Sequence, residues 1–534
     1  MSKSGRILII EDQPNWQDVL KRTLTRDNFN VVVAPTFQDA VAKLRADFYH
    51  LAVIDIRLVD WDPENTQGMT VLDELKDMGL GDAMEKIMIT AYGTLPQMRK
   101  AFGHHNVADF IDKSDFDREQ FRDTVRRVFR DRIQIKFDLE IVLDNGLTYE
   151  ELLNGVQIKG KRLNKDSLEM PRAVEETIDL LQRLFHNAKS IVVTQMGSHL
   201  DVRSAARVLR VQPYYTDRHG EAVIVKLGDH QIIDLEHSNF ETYVKGFIGG
   251  SRATNVLNLE HTAWLGGIIY SLVGTGLENV DDFNAYYQSH QAEQVTAVLT
   301  NLFEHTCANW YADRGAVQHC RLTHDYLATL GYDQAGLEMT LKDNFPSLVN
   351  QKTITFREVS GNELINPVYA IKDRDWSRST YKCVTHGDLN GGNILVDPSG
   401  ETWLIDFANT GKNHILRDVI QLETVVKFQL LSSRDLSARA KLDLALNSME
   451  RFSQLDGLTY SPPDEEFEKA FKAVRHLRTI ARNLVHPSDD FIDYYTGLLY
   501  MTLNILRFYG VHKINRMHAL VSASQICERL GLTA

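Results

Sequence analysis

Cysteine is scarce: the 534 residues hold only Cys307, Cys320, Cys383 and Cys527. None of their spacings suits a metal site, which excludes a thiolate-built zinc or iron–sulfur framework, and thiols this sparse point to a reducing, cytoplasmic setting. A basic excess is missing as well. Lys and Arg number 59 against 72 Asp and Glu, a formal net charge of −13, so broad binding to nucleic acid is not expected. Long apolar runs are absent. The most apolar late stretch, Phe491 to Tyr509, contains Asp493, Arg507 and several tyrosines, which predicts a buried helix and no membrane insertion. Met1 to Arg6 leads straight into a short apolar strand, without the apolar stretch and small-residue cleavage site of a secretory signal. Neither internal repeats nor low-complexity tracts occur, so a chain of this length divides into ordinary globular domains, roughly two to four of them.

What is present begins with carboxylates at strand ends. Arg6 to Ile10 ends on Glu11 and Asp12, Leu51 to Ile54 ends on Asp55, Lys86 to Ile89 ends on Thr90, and Ala108 to Ile111 stops just before Lys113. Helical stretches separate these strands, which predicts a doubly wound α/β domain with ligands at the carboxyl ends of its strands. Three carboxylates crowded there repel unless a divalent cation lies among them, and hard oxygen donors suit Mg2+. A carboxylate beside such a cation can attack a phosphoryl donor, and a hydroxyl and an ammonium can hold the new phosphate oxygens.

These residues, in this order, resemble the receiver domain of two-component response regulators. The resemblance implies a flavodoxin-like fold, a sensor histidine kinase as phosphodonor and Asp55 as phosphoacceptor. It implies Mg2+ held by Glu11, Asp12, Asp55 and the Arg57 carbonyl, with Thr90, Phe110 and Lys113 as the switch that reads the phosphate. It leaves a homodimer through this domain open. The chain departs from the family in three places: an acid-rich loop, Leu58 to Gly68, longer than usual; Ser114 where proline is common; and Phe110 where tyrosine is commoner.

Residues 131–188 lack the Gly/Ser or Pro bias of a flexible linker. Ile133 to Leu143 alternates apolar and polar residues and predicts a half-buried strand. Asp144-Asn145-Gly146 signals a hairpin, Thr148 to Glu151 has the form of a capping box, and Pro171 to Phe185 is amphipathic at helical spacing. This connector is expected to transmit the state of the receiver to the rest of the chain.

The second concentration of chemistry is Thr385 to Val396, followed by Trp403 to Phe407. A loop enters a short strand, turns at Asp397 to Gly400, and returns on a strand ending at Asp406. Such a hairpin brings Asp388, Asn393 and Asp406 to one end, two carboxylates and a carboxamide of the kind phosphoryl transfer employs. His386-Gly387-Asp388-Leu389, Asn393 five residues after Asp388, and Ile405-Asp406-Phe407 with Asp406 thirteen after Asn393 resemble the aminoglycoside phosphotransferase and choline kinase branch of the protein-kinase-like fold. The resemblance implies ATP as phosphoryl donor, Asp388 as the catalytic acceptor of the substrate proton, and Asn393 and Asp406 as Mg2+ ligands. His386 and Asp418 are expected to brace the loop.

Upstream, Ser190 to Thr194, Ala206 to Val211 and Ala222 to Lys226 predict three strands of a small lobe. By the same resemblance Lys226 meets nucleotide phosphates and pairs with a helix glutamate. In the predicted helix 231–247, Ile233, Phe240, Val244 and Phe247 form one stripe that includes Glu236 and leaves out Glu241, so Glu236 is the expected partner. Thr262 to Val273 predicts further strands, with Gly266-Gly267 as a turn or bulge and Ser271 to Gly274 as a hinge. Glycine is short where a phosphate loop needs bare backbone: between Gln195 and Ala205 stands only Gly197, next to Ser198, the two residues assigned to the nucleotide.

The whole chain thus predicts an α/β multidomain protein: a doubly wound receiver over 1–130, a connector over 131–188, and an α+β bilobal kinase-like domain with its first lobe over 189–275 and a helical C-terminal lobe over 276–534. The expected activity is Mg2+- and ATP-dependent phosphotransfer to a hydroxyl of an unidentified substrate, under control of Asp55. Two alternatives stay open. A pseudokinase would present a receiver-controlled surface to a protein partner, and the single glycine favours it. Transfer of AMP on the same fold is the other.

Overall fold

Five short apolar runs become β1 (Arg6–Ile10), β2 (Asn30–Ala34), β3 (Leu51–Asp55), β4 (Glu85–Thr90) and β5 (Asp109–Asp112), all parallel, in the order 2-1-3-4-5. The computed structural model describes every residue except 1–3, 60–61, 63–64, 82, 92, 197–204, 273, 275, 278–279, 360–362, 486–489, 509–510 and 534, and the side chain at 145. Successive side chains of these strands face opposite layers. Ile7, Ile9, Leu51 and Val53 pack beneath α1 (Pro14–Thr25) and α5 (Arg118–Val128). Leu8, Ile10, Ala52 and Ile54 pack beneath α2 (Phe37–Ala46), α3 (Gln67–Asp77) and α4 (Leu95–His105). The order in which strands are added switches direction between β1 and β3, which opens a crevice at their carboxyl ends, where Glu11, Asp12 and Asp55 stand.

The next segment forms β6 (Glu140–Leu143), α6 (Tyr149–Leu153), β7 (Gln157–Ile158), β8 (Lys161–Arg162) and α7 (Met170–Leu184). It is followed by β9 (Ser190–Gln195), β10 (Arg207–Tyr214), β11 (Val223–Asp229), α8 (His230–Asn239), β12 (Thr254–His261) and β13 (Leu265–Leu272). Strands β12-β13-β11-β10-β9-β6 make one six-stranded sheet. Leu180, Leu181 and Leu184 of α7 share its core with Leu152, Leu153, Val193, Leu209 and Val225, so the connector and the sheet are packed as one.

Three local expectations are corrected. The strand foreseen from Ile133 begins only at Glu140, because Ile133 closes the turn Phe129–Ile133 after α5 and stays in the first core. Asp144–Gly146 is a 3-10 turn into α6 and no hairpin: β6 lies parallel to β9, and parallel neighbours cannot be joined by a two-residue turn. The hairpin lies instead at β7 and β8. Gly266-Gly267 sit inside β13, paired with Gly228 and Leu227, while the turn falls at 262–264. A Cβ on Gly266 would lie 2.9 Å from Ile233, and one on Gly267 2.8 Å from Leu184, so close helix packing, not a turn, demands these glycines.

Among the described residues the chain forms two compact units. The first gathers residues up to Met196, from Ala205 to Asp234 and from Val256 to Ser271; the second gathers Leu235 to Asn255 and those from Leu272 on. Within the second, Asp281–Asp282, Ile394–Val396 and Thr402–Leu404 form a three-stranded sheet, and Lys382–Thr385 pairs with Gly411–His414. The helices Arg417–Val425, Leu436–Leu446, Glu465–Leu484, Ile492–Asn504 and Lys513–Arg529 follow. Their interior is unusually polar. Arg478 meets both oxygens of Glu423 at 2.7 and 2.9 Å, and Lys427 meets Asp443 at 2.6 Å, all four side chains being fully buried. The apolar stretch after Phe491 is a buried helix, and among the described residues no helix is long and apolar enough to cross a membrane.

Candidate functional site

The carboxyl ends of β1 and β3 bring Glu11, Asp12 and Asp55 together, one oxygen of each lying within 4.8 Å of the others. Lys113, just past β5, reaches into the same pocket and places Nζ 2.7 Å from both Glu11 and Asp55. The Arg57 amide approaches Asp55 Oδ1 at 3.4 Å. Thr90 is buried at the end of β4, and Phe110 is half-buried on neighbouring β5. Burial, and then the adjacent Asp55 charge, push the Glu11 carboxyl up to about 7; burial likewise raises Asp55. A cluster of hard oxygens whose negative charge is disfavoured by burial fits a divalent cation, which would compete with protons there.

A pH dependence follows. Glu11 titrates near 4.5 unfolded and near 7 folded, so its contribution to stability is present at low pH and lost as pH rises through about 7. The loss is about 3 kcal/mol. Without Mg2+, the unfolding temperature of the first unit should fall between roughly pH 5 and 7.5, and Mg2+ or Glu11→Gln should flatten that fall. A profile that is equally steep in all three conditions would exclude the cluster as its cause.

Two glycines that the sequence did not mark as site residues shape this pocket. A Cβ on Gly68 would sit 1.9 Å from the Asp55 carbonyl oxygen, so the start of α3 is pressed against the backbone of Asp55. A Cβ on Gly93 would meet Phe110 at 2.6 Å and Thr90 at 3.0 Å, so that glycine lies between the two proposed switch residues. Of the long acid-rich loop, Asp60, Trp61, Pro63 and Glu64 lie outside the described residues, while Asn65 accepts the Leu58 and Gln67 amides at 3.1 and 3.2 Å.

In the second unit the expected hairpin is formed, with Ile394 opposite Leu404 and Val396 opposite Thr402. Asn393 donates its amide to the Asp388 carbonyl at 2.8 Å, which leaves its Oδ1 as an oxygen donor. Asp406 adopts a left-handed backbone, φ 68°, a conformation that costs a non-glycine residue about 1 kcal/mol or more. Asp418 is fully buried and accepts the His386 and Gly387 amides at 2.7 and 3.1 Å, while His386 Nε2 lies 3.0 Å from the Ile405 carbonyl. Both residues therefore brace the loop, and burial raises the Asp418 carboxyl. Gly387, at φ 80°, has the Asn409 carbonyl 2.1 Å from any Cβ. Sequence reading missed Gln421, which donates Nε2 to Asp388 Oδ1 at 2.7 Å. Its only sequence signal is its place three residues after Asp418, one helical turn on.

Lys226 is buried on β11, between Val208 and Ile268 in register. Glu236 is fully buried and accepts the Phe407 amide at 3.3 Å, whereas Glu241 is exposed and pairs with Lys245 at 2.8 Å. The stripe Ile233, Phe240 and Val244 is buried with Glu236, but the helix ends at Asn239 and passes into a wider turn, Phe240–Val244. Gly197, Ser198 and the hinge residue Val273 lie outside the described residues.

Known proteins match these parts separately. The family model described as "Response regulator receiver domain" matches residues 7–126. A curated relative, an uncharacterized 14.6 kDa protein in the sodA1 3' region of Leptolyngbya boryana, is 27% identical over 86 residues, 16% of this chain; the chain spans 62% of that protein's length. Among solved structures, a CheY-like receiver domain protein from Methanospirillum hungatei JF-1 is 25% identical, with TM-score 0.22 over 24% of this chain and 96% of its own. The HemR receiver domain from Leptospira biflexa is 26% identical, with TM-score 0.21 over 23% and 94%. The receiver domain of a sensor histidine kinase from Pseudomonas aeruginosa PAO1, with a magnesium ion coordinated in its active-site cleft, is 22% identical, with TM-score 0.20 over 23% and 96%. Downstream, the family model described as "Ternary complex associated domain 9" matches residues 201–349 and 340–507, together more than half of the chain. With its acid pocket at the ends of a 2-1-3-4-5 parallel sheet, the N-terminal part is a response regulator receiver domain, and the chain belongs to the Ternary complex associated domain 9 family.

Proposed function

We propose that this chain is a response regulator phosphorylated on Asp55 by a sensor histidine kinase, and that the phosphate controls a kinase-like phosphotransferase within the Ternary complex associated domain 9 region. On the receiver side, Glu11, Asp12 and Asp55 would hold Mg2+, which neutralises the crowded carboxylates and draws phosphoryl oxygens to them. Asp55 would attack the phosphorus of a phosphohistidine, the N–P bond would break, and the electron pair would leave on the imidazole. Lys113, already 2.7 Å from Asp55, stands where it would meet the phosphate oxygens.

The observation that carries the output reading is the braced loop 386–393. Asp388 is half-buried with one oxygen fixed by Gln421, Asn393 is closed onto its carbonyl, and Asp418 holds the loop amides. That loop is suited to orienting a substrate hydroxyl at Asp388, with the oxygens of Asn393 and Asp406 available to Mg2+ and the phosphates of ATP. Glu236, which accepts the Phe407 amide next to Asp406, would serve the nucleotide.

Incubation with ATP labelled on the γ-phosphate or on the α-phosphate, with a panel of hydroxyl substrates and with water alone, tests the reading. Asp388→Ala and Asp406→Ala should each lower γ-label transfer by about a thousandfold. Transfer of α-label instead would replace phosphotransfer by AMP transfer. Equal turnover in both variants and the unaltered protein would remove the chemistry from this loop. The single glycine between Gln195 and Ala205 favours a second reading, a pseudokinase presenting a surface to a protein partner; Mg2+-dependent ATP binding without any label transfer would support it.

A further inference from the structure

Lys113 has a third neighbour besides its two carboxylates. Its Nζ lies over the ring of Trp16, 5.1 Å from the centroid. The ammonium donates to Asp55 and forms an ion pair with Glu11, both at 2.7 Å, and the aromatic face covers another side. Trp16 is half-buried in the first turn of α1, four residues after Asp12, and Pro14 starts that helix immediately behind the metal-binding acids. The ring is packed against a neighbouring aromatic side chain. Phe116 meets it edge-on, centroids 5.1 Å apart at 87°, and Phe116 in turn packs on Phe121 of α5. The Lys113 side chain is only 4% exposed, so the attraction between ammonium and ring acts in a desolvated setting, where it is strongest.

We propose that Trp16 is a positioning residue for the receiver: it holds the Lys113 ammonium against Asp55, so that the lysine is in place when a phosphoryl group arrives. The proposal rests on the phosphoacceptor reading of Asp55. A phosphate on Asp55 would compete with Glu11 for Lys113, and the ring limits how far the ammonium moves, because the lysine stem and the clamped indole confine it to the face it already occupies. Trp16 touches no phosphoryl oxygen in this scheme and acts only through Lys113.

The test uses the full chain with Mg2+ and beryllofluoride, a non-covalent phosphoryl mimic, and reads its affinity by calorimetry. Asp55→Asn should abolish binding and fix the site. Trp16→Leu is expected to weaken beryllofluoride about fivefold or more, while Trp16→Phe, which keeps an aromatic face, should stay within about twofold. In a Lys113→Ala background, Trp16→Leu should have no further effect, because the two losses are one interaction. A second readout needs only the well-tolerated phenylalanine variant: the emission contributed by Trp16, taken as the difference between the unaltered protein and Trp16→Phe, should change when beryllofluoride binds. Equal affinity of Trp16→Leu and the unaltered protein, an undiminished effect in the Lys113→Ala background, or an unresponsive Trp16 emission would each overturn the proposal. An unaltered protein that binds no beryllofluoride would overturn the phosphoacceptor reading and this inference with it.

Discussion

Acidification from pH 7 towards pH 4 is expected to unfold the second unit, because two of its histidines are buried in the neutral form. His518 is fully buried. Its Nδ1 lies 3.1 Å from the Arg439 guanidinium, which can only donate, so the ring proton sits on Nε2 and is donated to Asp443 at 2.6 Å. Burial pushes His518 down to about 4 and His414, which is hydrogen-bonded to the Tyr326 hydroxyl at 2.9 Å, down to about 3. Both folded values lie below the ordinary 6.5, so the unfolded chain binds protons first. The stability they contribute is present above about pH 6.5 and lost as pH falls to their folded values, about 3 to 5 kcal/mol each. Losses of that size compare with the whole stability of a domain, about 5 to 15 kcal/mol. Burial opposes the Asp443 charge, but Lys427 and His518 hold that carboxyl well below the usual range, which adds to the acid loss only at the lowest pH. Helical circular dichroism along a pH series reads the transition. His518→Gln and His414→Gln should each move the acid midpoint downward; midpoints unchanged in both variants would exclude these histidines as its origin.

The receiver was legible because its chemistry sits at strand ends that hydropathy alone locates. Ile7 to Ile10 and Leu51 to Ile54 are continuous apolar runs, and the residues that follow them are acids. The helix stripe separated Glu236, which is buried, from Glu241, which is exposed, for a similar reason: period alone decides the face. Where the reading failed, tertiary packing had overridden a local signal. Asp144-Asn145-Gly146 is a strong hairpin tripeptide, yet its strand pairs in parallel with β9, some 46 residues further along the chain. Gly266-Gly267 carries the composition of a turn, yet its bare backbone admits Ile233 and Leu184. Gln421 and Trp16 were missed because neither belongs to a motif; each matters through one distant partner, Asp388 and Lys113, which only the fold brings near. The strand β12 was also missed, since Thr254 to His261 mixes polar and apolar residues as an edge strand does.

Asp179→Ala should destabilise the first unit by about 3 to 5 kcal/mol, the usual result of removing one member of a buried charged cluster. Asp179 lies on α7 and is almost fully buried. Its oxygens accept from His50 Nε2 at 2.6 Å and Arg183 Nε at 2.9 Å. His50 precedes β3 and accepts the Arg6 amide at 2.9 Å, so this contact ties the base of the receiver sheet to the helix. Burial would raise the Asp179 carboxyl, but His50 and Arg183 outweigh it and hold the group well below its ordinary range. Less than one turn earlier, Glu176 accepts the Thr262 hydroxyl and the Trp264 amide, both at 2.7 Å, in the turn between β12 and β13. The same helix thus grips the receiver at Asp179 and the second sheet at Glu176, and we propose that a displacement of one grip would be carried to the other. Stability and coupling can be separated. Replacing His50, Asp179 and Arg183 together by Leu, Leu and Met removes every charge of the cluster and should restore most of the stability lost in Asp179→Ala. It should also remove the lever. In the unaltered protein, beryllofluoride at Asp55 is expected to change amide hydrogen exchange at 262–264; in the triple variant the receiver should still bind beryllofluoride while that turn no longer responds. An equal response in the triple variant would show that the receiver reaches the second sheet by another route.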